Sequence, residues 1–248
     1  MELDLKHILK LRDEVLKSLN GKVGDFFLGG GTALSLYYLH HRESFDLDFF
    51  TKDFTKKKIK AIISEIENYL GVKTISEEEV ISKNRAKIVR CFIPASDKKL
   101  LDAHENKNSL KIDFLEDVYY DIQSREIVID GIPILSQENI YLRKIYAVCG
   151  VLETQDKVGR KRFVGGREEA KDLFDLYFLS KDFMRLSKFV AEHCQEEKEK
   201  VITWYSSYKR EEMKLGILEL IIIKETDFYD IERHFKKEVE DMIEKELY

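Results

Sequence analysis

Proline interrupts this chain at only two positions, Pro94 and Pro133, and no residue beyond 133 forbids a helix. That fact sorts the sequence into two halves. After Pro133, apolar residues recur at helical spacing over 136–152, 168–180, 183–204, 209–224 and 227–247, which predicts a succession of helices. Before it, helical and strand patterns mix. Residues 3–20 and 56–70 carry amphipathic helical spacing, the second stopped by Gly71, and residues 32–41 predict a further helix. Phe26-Phe27-Leu28 predicts a short buried strand, and residues 45–50 alternate aromatic or aliphatic with acidic side chains, the period of a strand with two unlike faces. Residues 72–75, 87–93, 109–115 and 126–129 also fit strands, and Asp130-Gly131 marks a tight turn before Ile132. The expected fold class is α+β, with a mixed sheet and flanking helices over 1–135 and an all-helical bundle over 136–248.

The bulk properties agree with a globular protein and exclude several classes. With 248 residues, 44% of them hydrophobic, the chain can bury one large core or two modest ones. A net charge of -5 neither requires nor forbids a nucleic-acid partner, since binding depends on local patches. Cys91, Cys149 and Cys194 are odd in number and form no CxxC pair, so neither a disulfide framework nor a structural zinc site is expected. The opening residues lack the layout of a secretory signal. The most apolar stretch, 215–223, contains Glu219 and is too short to span a bilayer. The expectation is a cytoplasmic protein with no membrane contact.

Chemistry concentrates between residues 29 and 48. Gly29-Gly30-Gly31-Thr32 follows a strand and opens a helix, which lets backbone N–H groups approach a phosphate without a Cβ in the way. Asp46 and Asp48 lie two apart on the next strand and so share one face. Adjacent carboxylates repel unless a cation neutralises them, and carboxylate with phosphate oxygen is the donor set that Mg²⁺ prefers. Two such ions can clamp the attacking and leaving oxygens of an in-line displacement at phosphorus. Taken singly, a glycine run is usually a turn and an Asp-x-Asp usually a solvated face; the order strand, glycines, helix, acidic strand is what points to chemistry. Other signatures fail. Gly29-x-Gly31 is followed by Leu34 where a dinucleotide fold needs Gly or Ala, and no P-loop, GxSxG or HExxH occurs.

The segments Gly29-Gly-Gly-Thr-Ala-Leu-Ser-Leu36 and Arg42-Glu-Ser-Phe-Asp-Leu-Asp-Phe-Phe50 resemble the abortive-infection nucleotidyltransferase toxins of the AbiEii/AbiGii kind, within the polymerase-beta-like nucleotidyltransferase superfamily. The resemblance extends through Leu142-Arg-Lys-Ile-Tyr-Ala147 and Arg167-Glu-Glu-Ala-Lys-Asp-Leu-Phe-Asp-Leu-Tyr177. It implies a polymerase-beta-like first domain. It also implies Mg²⁺ or Mn²⁺ held by Asp46, Asp48 and a third carboxylate, for which Asp113 is the candidate and Asp117 a weaker one. Lys144 would neutralise triphosphate charge and share in catalysis. Gly30, Gly31, Thr32, Arg42, Ser44, Arg167 and Asp172 would bind the nucleotide.

The implied partners are a nucleoside triphosphate, an RNA acceptor such as the 3′ end of tRNA, and an antitoxin protein. A phosphotransferase, a protein-modifying transferase and a non-catalytic binding module are the competing readings. The basic stretch Lys157, Arg160, Lys161, Arg162 and Arg167 is a candidate contact for triphosphate or RNA backbone, though such runs are commonly just solvated loops. His40-His41 reads as a helix C-terminal cap rather than a metal pair, because adjacent histidines diverge on a helix.

Overall fold

The computed structural model describes residues 2–80, 86–94, 109–118, 122, 127–150, 152–155, 161–164 and 166–244. They belong to two compact units, Met1–Ala33 with Ser44–Ser136, and Leu34–Glu43 with Gln137–Tyr248. A segment from early in the sequence thus takes its place in the second unit.

The first unit is a seven-stranded mixed sheet in the order β3-β4-β5-β2-β1-β7-β6. Its strands are β1 (Phe27–Gly29), β2 (Leu47–Thr51), β3 (Ile75–Val80), β4 (Lys87–Pro94), β5 (Ser109–Glu116), β6 (Ile127–Ile129) and β7 (Ile132–Ile134). β2 runs antiparallel to β1 and parallel to β5, and β4 is antiparallel to β5. Helices α1 (Glu2–Ser18) and α3 (Lys56–Leu70), with the short α2 (Gly30–Ala33) between them in sequence, contact each other, and α1 contacts β5. Ile59, Ile62, Ile63 and Ile66 recur every three or four residues and are all buried, the stripe that makes α3 fold. Gly71, at φ 68°, ends that helix by donating its N–H to the Glu67 carbonyl. Leu47 and Phe49 point into the core, where Phe49 stacks on Phe114 at 5.7 Å and Phe26 meets Phe114 edge-on at 5.6 Å. The Asp130-Gly131 turn has φ 48° and 68°, the left-handed pair a two-residue hairpin needs.

The second unit contains α4 (Gln137–Cys149), α5 (Ala170–Phe178), α6 (Leu186–His193), α7 (Lys198–Ser207), α8 (Arg210–Leu218) and α9 (Phe228–Glu244). It departs from the expected all-helical bundle by a two-stranded hairpin, β8 (Leu152–Gln155) with β9 (Lys161–Val164). Lys161 and Arg162 lie on β9; Lys157 and Arg160 fall outside the described residues.

Two expected helices are also shorter. The one predicted over 183–204 starts late, at Leu186, where Ser180 Oγ and Glu238 accept the N–H groups of Leu186 and Ser187. It divides at Cys194, whose φ of -155° and ψ of 54° leave the helix before a tight turn over Gln195–Glu197 leads into α7. The one predicted over 209–224 stops at Leu218. The β-branched run Ile221-Ile222-Ile223 instead pairs with the early segment: Glu43 N–H donates to Ile221 O at 2.8 Å and Ile223 N–H to His41 O at 2.9 Å. Among the described residues no helix is long and apolar enough to cross a membrane.

Candidate active site

Strand register builds the first cluster. Gly29, Asp48, Asp113 and Arg90 are direct cross-strand partners on β1, β2, β5 and β4, so a glycine, two carboxylates and a guanidinium form one row on one face. Gly30 adjoins the row with φ 64°, and a Cβ there would collide with the Asp48 carboxylate. Glycine is required at 30 on both counts. The helix after the glycines is α-helical only over Gly30–Ala33, then continues as π-turns from Leu34 to Leu39.

Asp46 precedes β2 by one residue and is held there from behind. The buried Thr32 hydroxyl donates to the Asp46 carbonyl and lies 3.0 Å from Ser44 Oγ, while Arg12 donates to Ser44 O at 2.7 Å. The Thr32 and Ser44 hydroxyls are therefore engaged with the protein itself.

Two basic residues that sequence reasoning missed meet the carboxylates. Arg90 donates to both oxygens of Asp113, at 2.8 and 3.0 Å. Lys111 Nζ stands 3.0 Å from Asp46 and 3.7 Å from Asp113. Burial disfavours the Lys111 ammonium, but Asp46, Asp113 and Asp48 outweigh it and raise its pKa. Lys111 lies two residues before Asp113, a period-two signal available in the sequence; Arg90 could be found only from the pairing of β4 with β5.

The donor set suits a hard divalent ion such as Mg²⁺ or Mn²⁺. Asp46 and Asp48 offer hard carboxylate oxygens beside a glycine turn, which fits an ion bound by two carboxylates and substrate phosphates. Among the described residues no three Asp, Glu, His or Cys side chains converge into a cage. Arg90 engages both oxygens of Asp113, and Lys111 sits against Asp46.

The second cluster lies wholly within the second unit. Asp175 is fully buried and receives Arg42 Nε and Nη2 at 2.7 and 2.9 Å, His41 Nε2 at 2.7 Å, and Lys144 Nζ at 2.6 Å. Lys144 also reaches Asp172 Oδ1 at 2.5 Å, and Arg167 Nε lies 3.2 Å from Asp172 Oδ2. Burial alone would raise the Asp175 carboxyl, but Arg42, Lys144 and His41 hold it well below the usual carboxylate range. Burial likewise works against the Lys144 ammonium, and Asp172 and Asp175 overcome it and raise its pKa. Of the residues expected to bind nucleotide, Arg42, Arg167 and Asp172 thus meet in one ion-pair network with Lys144. Asp175 is its hub, and local sequence carries no signal for that because Arg42 stands far away along the chain.

His40, at φ 48°, takes the left-handed position just after the helix, as a C-terminal cap does, whereas His41 is part of this network. It stacks on Phe174 at 5.7 Å, and burial pushes its pKa down despite Asp175. The neutral ring donates from Nε2 to the carboxylate. A depressed histidine supplies stability that is lost as pH falls below its unfolded value of about 6.5, because the unfolded chain takes the proton first. Urea titrations at pH 7.5 and 5.5 are expected to show that loss in the wild type and a smaller one in His41→Gln. His234, which burial also holds low, retains its own share. Equal pH dependence in both proteins would contradict this account.

The sequence matches a family model described as nucleotidyl transferase AbiEii toxin, type IV toxin–antitoxin system, over residues 15–247. No curated protein matches it. Among solved structures, a candidate nucleotidyltransferase from H. pylori is similar with a TM-score of 0.57 at 18% identity, covering 98% of each chain. JHP933 from Helicobacter pylori is similar with a TM-score of 0.53 at 18% identity, covering 99% of this chain and 96% of the other. At such identity these likenesses concern the fold.

Proposed function

The chain belongs to the AbiEii nucleotidyltransferase toxin family of type IV toxin–antitoxin systems, and from that premise we propose that it moves a nucleotidyl group from a nucleoside triphosphate to a hydroxyl of RNA, with the 3′ end of tRNA as acceptor. The observation that carries the reading is the placement of Asp48 beside Asp113 across β2 and β5, with Gly30 against the Asp48 carboxylate. Asp46 and Asp48 would hold Mg²⁺ or Mn²⁺, which when bound supplies charge neutralisation at the phosphate oxygens. Asp113 is the third carboxylate of the cluster, its plane set by Arg90. Gly30 and Gly31 leave the backbone open to a phosphate, and Thr32 and Ser44 act on the nucleotide through the position they give Asp46. Within the second unit, Lys144 and Arg167 supply positive charge for a triphosphate. Asp172 and the Arg42-bound Asp175 fix the Lys144 ammonium. Catalysis of this kind is positioning and electrostatics, with no covalent enzyme intermediate. An antitoxin protein would be the partner that restrains the activity.

The test incubates the protein with Mg²⁺, each α-labelled NTP in turn and total cellular RNA, beside an Asp48→Ala control. Label entering RNA with wild type alone, with pyrophosphate released, is the expected result and names the nucleotide. Label in protein would replace RNA by a protein hydroxyl as acceptor. Release of a nucleoside diphosphate would indicate phosphotransfer, and tight Mg-NTP binding without turnover would indicate a binding module.

A further inference from the structure

Asp48 and Asp113 pair across β2 and β5, Asp46 stands one residue before β2, and the flexible side chain of Lys111 faces this group of carboxylates. Arg90 is tied to Asp113 by a planar two-point bond. Lys111 is different. Its ammonium lies 3.0 Å from Asp46 and 3.7 Å from Asp113, with the Asp48 charge also acting on it. It is a compact point charge on a rotatable stem, which can leave without moving the strand. It therefore occupies the place in the charge distribution that a divalent ion on Asp46 and Asp48 would claim.

We propose that Lys111 is the resident counter-cation of the Asp46–Asp48–Asp113 cluster and competes with a divalent ion for the same carboxylate oxygens. The inference rests on the reading of Asp46 and Asp48 as cation ligands and adds to it a built-in competitor. Two consequences follow from charge alone. Before an ion binds, Lys111 relieves the repulsion that three neighbouring carboxylates would otherwise suffer. When an ion binds, Lys111 opposes it, because an ammonium and a divalent cation a few ångströms apart repel. Metal affinity is thereby held below what the carboxylates could deliver.

The experiment measures Mn²⁺ binding directly, by the loss of the free-ion electron paramagnetic resonance signal, in the full-length protein without nucleotide. Lys111→Met keeps the length of the side chain and removes its charge. It is expected to bind Mn²⁺ about tenfold more tightly than wild type and, without Mn²⁺, to melt several degrees lower. Lys111→Arg, which keeps the charge, is expected to bind close to wild type. In the wild-type protein, Mn²⁺ should increase acylation of Lys111 by an amine-reactive ester, read by peptide mass spectrometry, because the displaced ammonium leaves its carboxylates.

Unchanged or weaker Mn²⁺ affinity in Lys111→Met would overturn the proposal, as would acylation that Mn²⁺ leaves unchanged or lowers. If Asp48→Ala abolishes binding while Lys111→Met leaves it unchanged, the competitor role alone fails. If wild type binds no Mn²⁺ that depends on Asp48, the cation reading fails with it.

Discussion

Asp48→Asn is expected to cut nucleotidyl transfer by at least about a thousandfold, equivalent to ~4 kcal/mol of transition-state stabilisation, while leaving the folded protein as stable as wild type or more so. Asp48 lies beside Asp113 across the sheet, and Asp46 is two residues away, so the cluster concentrates negative charge. The amide keeps the shape next to Gly30 and removes one of the charges. Repulsion falls, and so does the capacity to hold a hard cation. Initial rates with labelled NTP and RNA, beside thermal unfolding of both proteins, check the two halves of the prediction. Activity within tenfold of wild type would remove Asp48 from the chemistry. A drop in melting temperature of many degrees would give it a structural role instead.

Asp175→Ala should behave in the opposite sense. This carboxylate is fully buried and receives donors from Arg42, His41 and Lys144. Removing it leaves two cations and a histidine in the interior without the carboxylate that joins them, while Asp172 still faces Lys144. Breaking a buried ion-pair network by deleting one partner costs about 3–5 kcal/mol. That is a large part of a typical folding free energy of roughly 5–15 kcal/mol. Urea denaturation monitored by circular dichroism should show the loss. Asp175→Asn, which keeps hydrogen-bond acceptors, should lose less. A cost below about 1 kcal/mol for the alanine variant would mean that water or rearrangement satisfies Arg42 and Lys144. The two substitutions separate carboxylates kept for chemistry from one kept to hold a side chain in place.

The same contrast shows where sequence reading is strong and where it stops. The glycine turn, the Asp46-x-Asp48 strand, the α3 stripe and the Asp130-Gly131 turn are local: spacing and residue type state their geometry within a few positions. Lys111 was within reach of that logic, since it shares a strand face with Asp113. Arg90, His41 and Asp175 were not. Their partners are remote in sequence and meet them only through strand register or helix packing. A one-residue slip of β4 would carry Arg90 to the opposite face.

From sequence alone came the division between a mixed α/β half and a mainly helical half, the family, and the carboxylates most suited to a divalent ion, because periodicity and short-range motifs encode all three. Tertiary structure alone decided that 34–43 joins the helical unit, that Ile221–Ile223 leaves its helix to pair with residues 41–43, and that Arg42 spends its guanidinium on Asp175. Each outcome follows from satisfying buried backbone and charged groups that have no local partner, a requirement that only the packed chain can state.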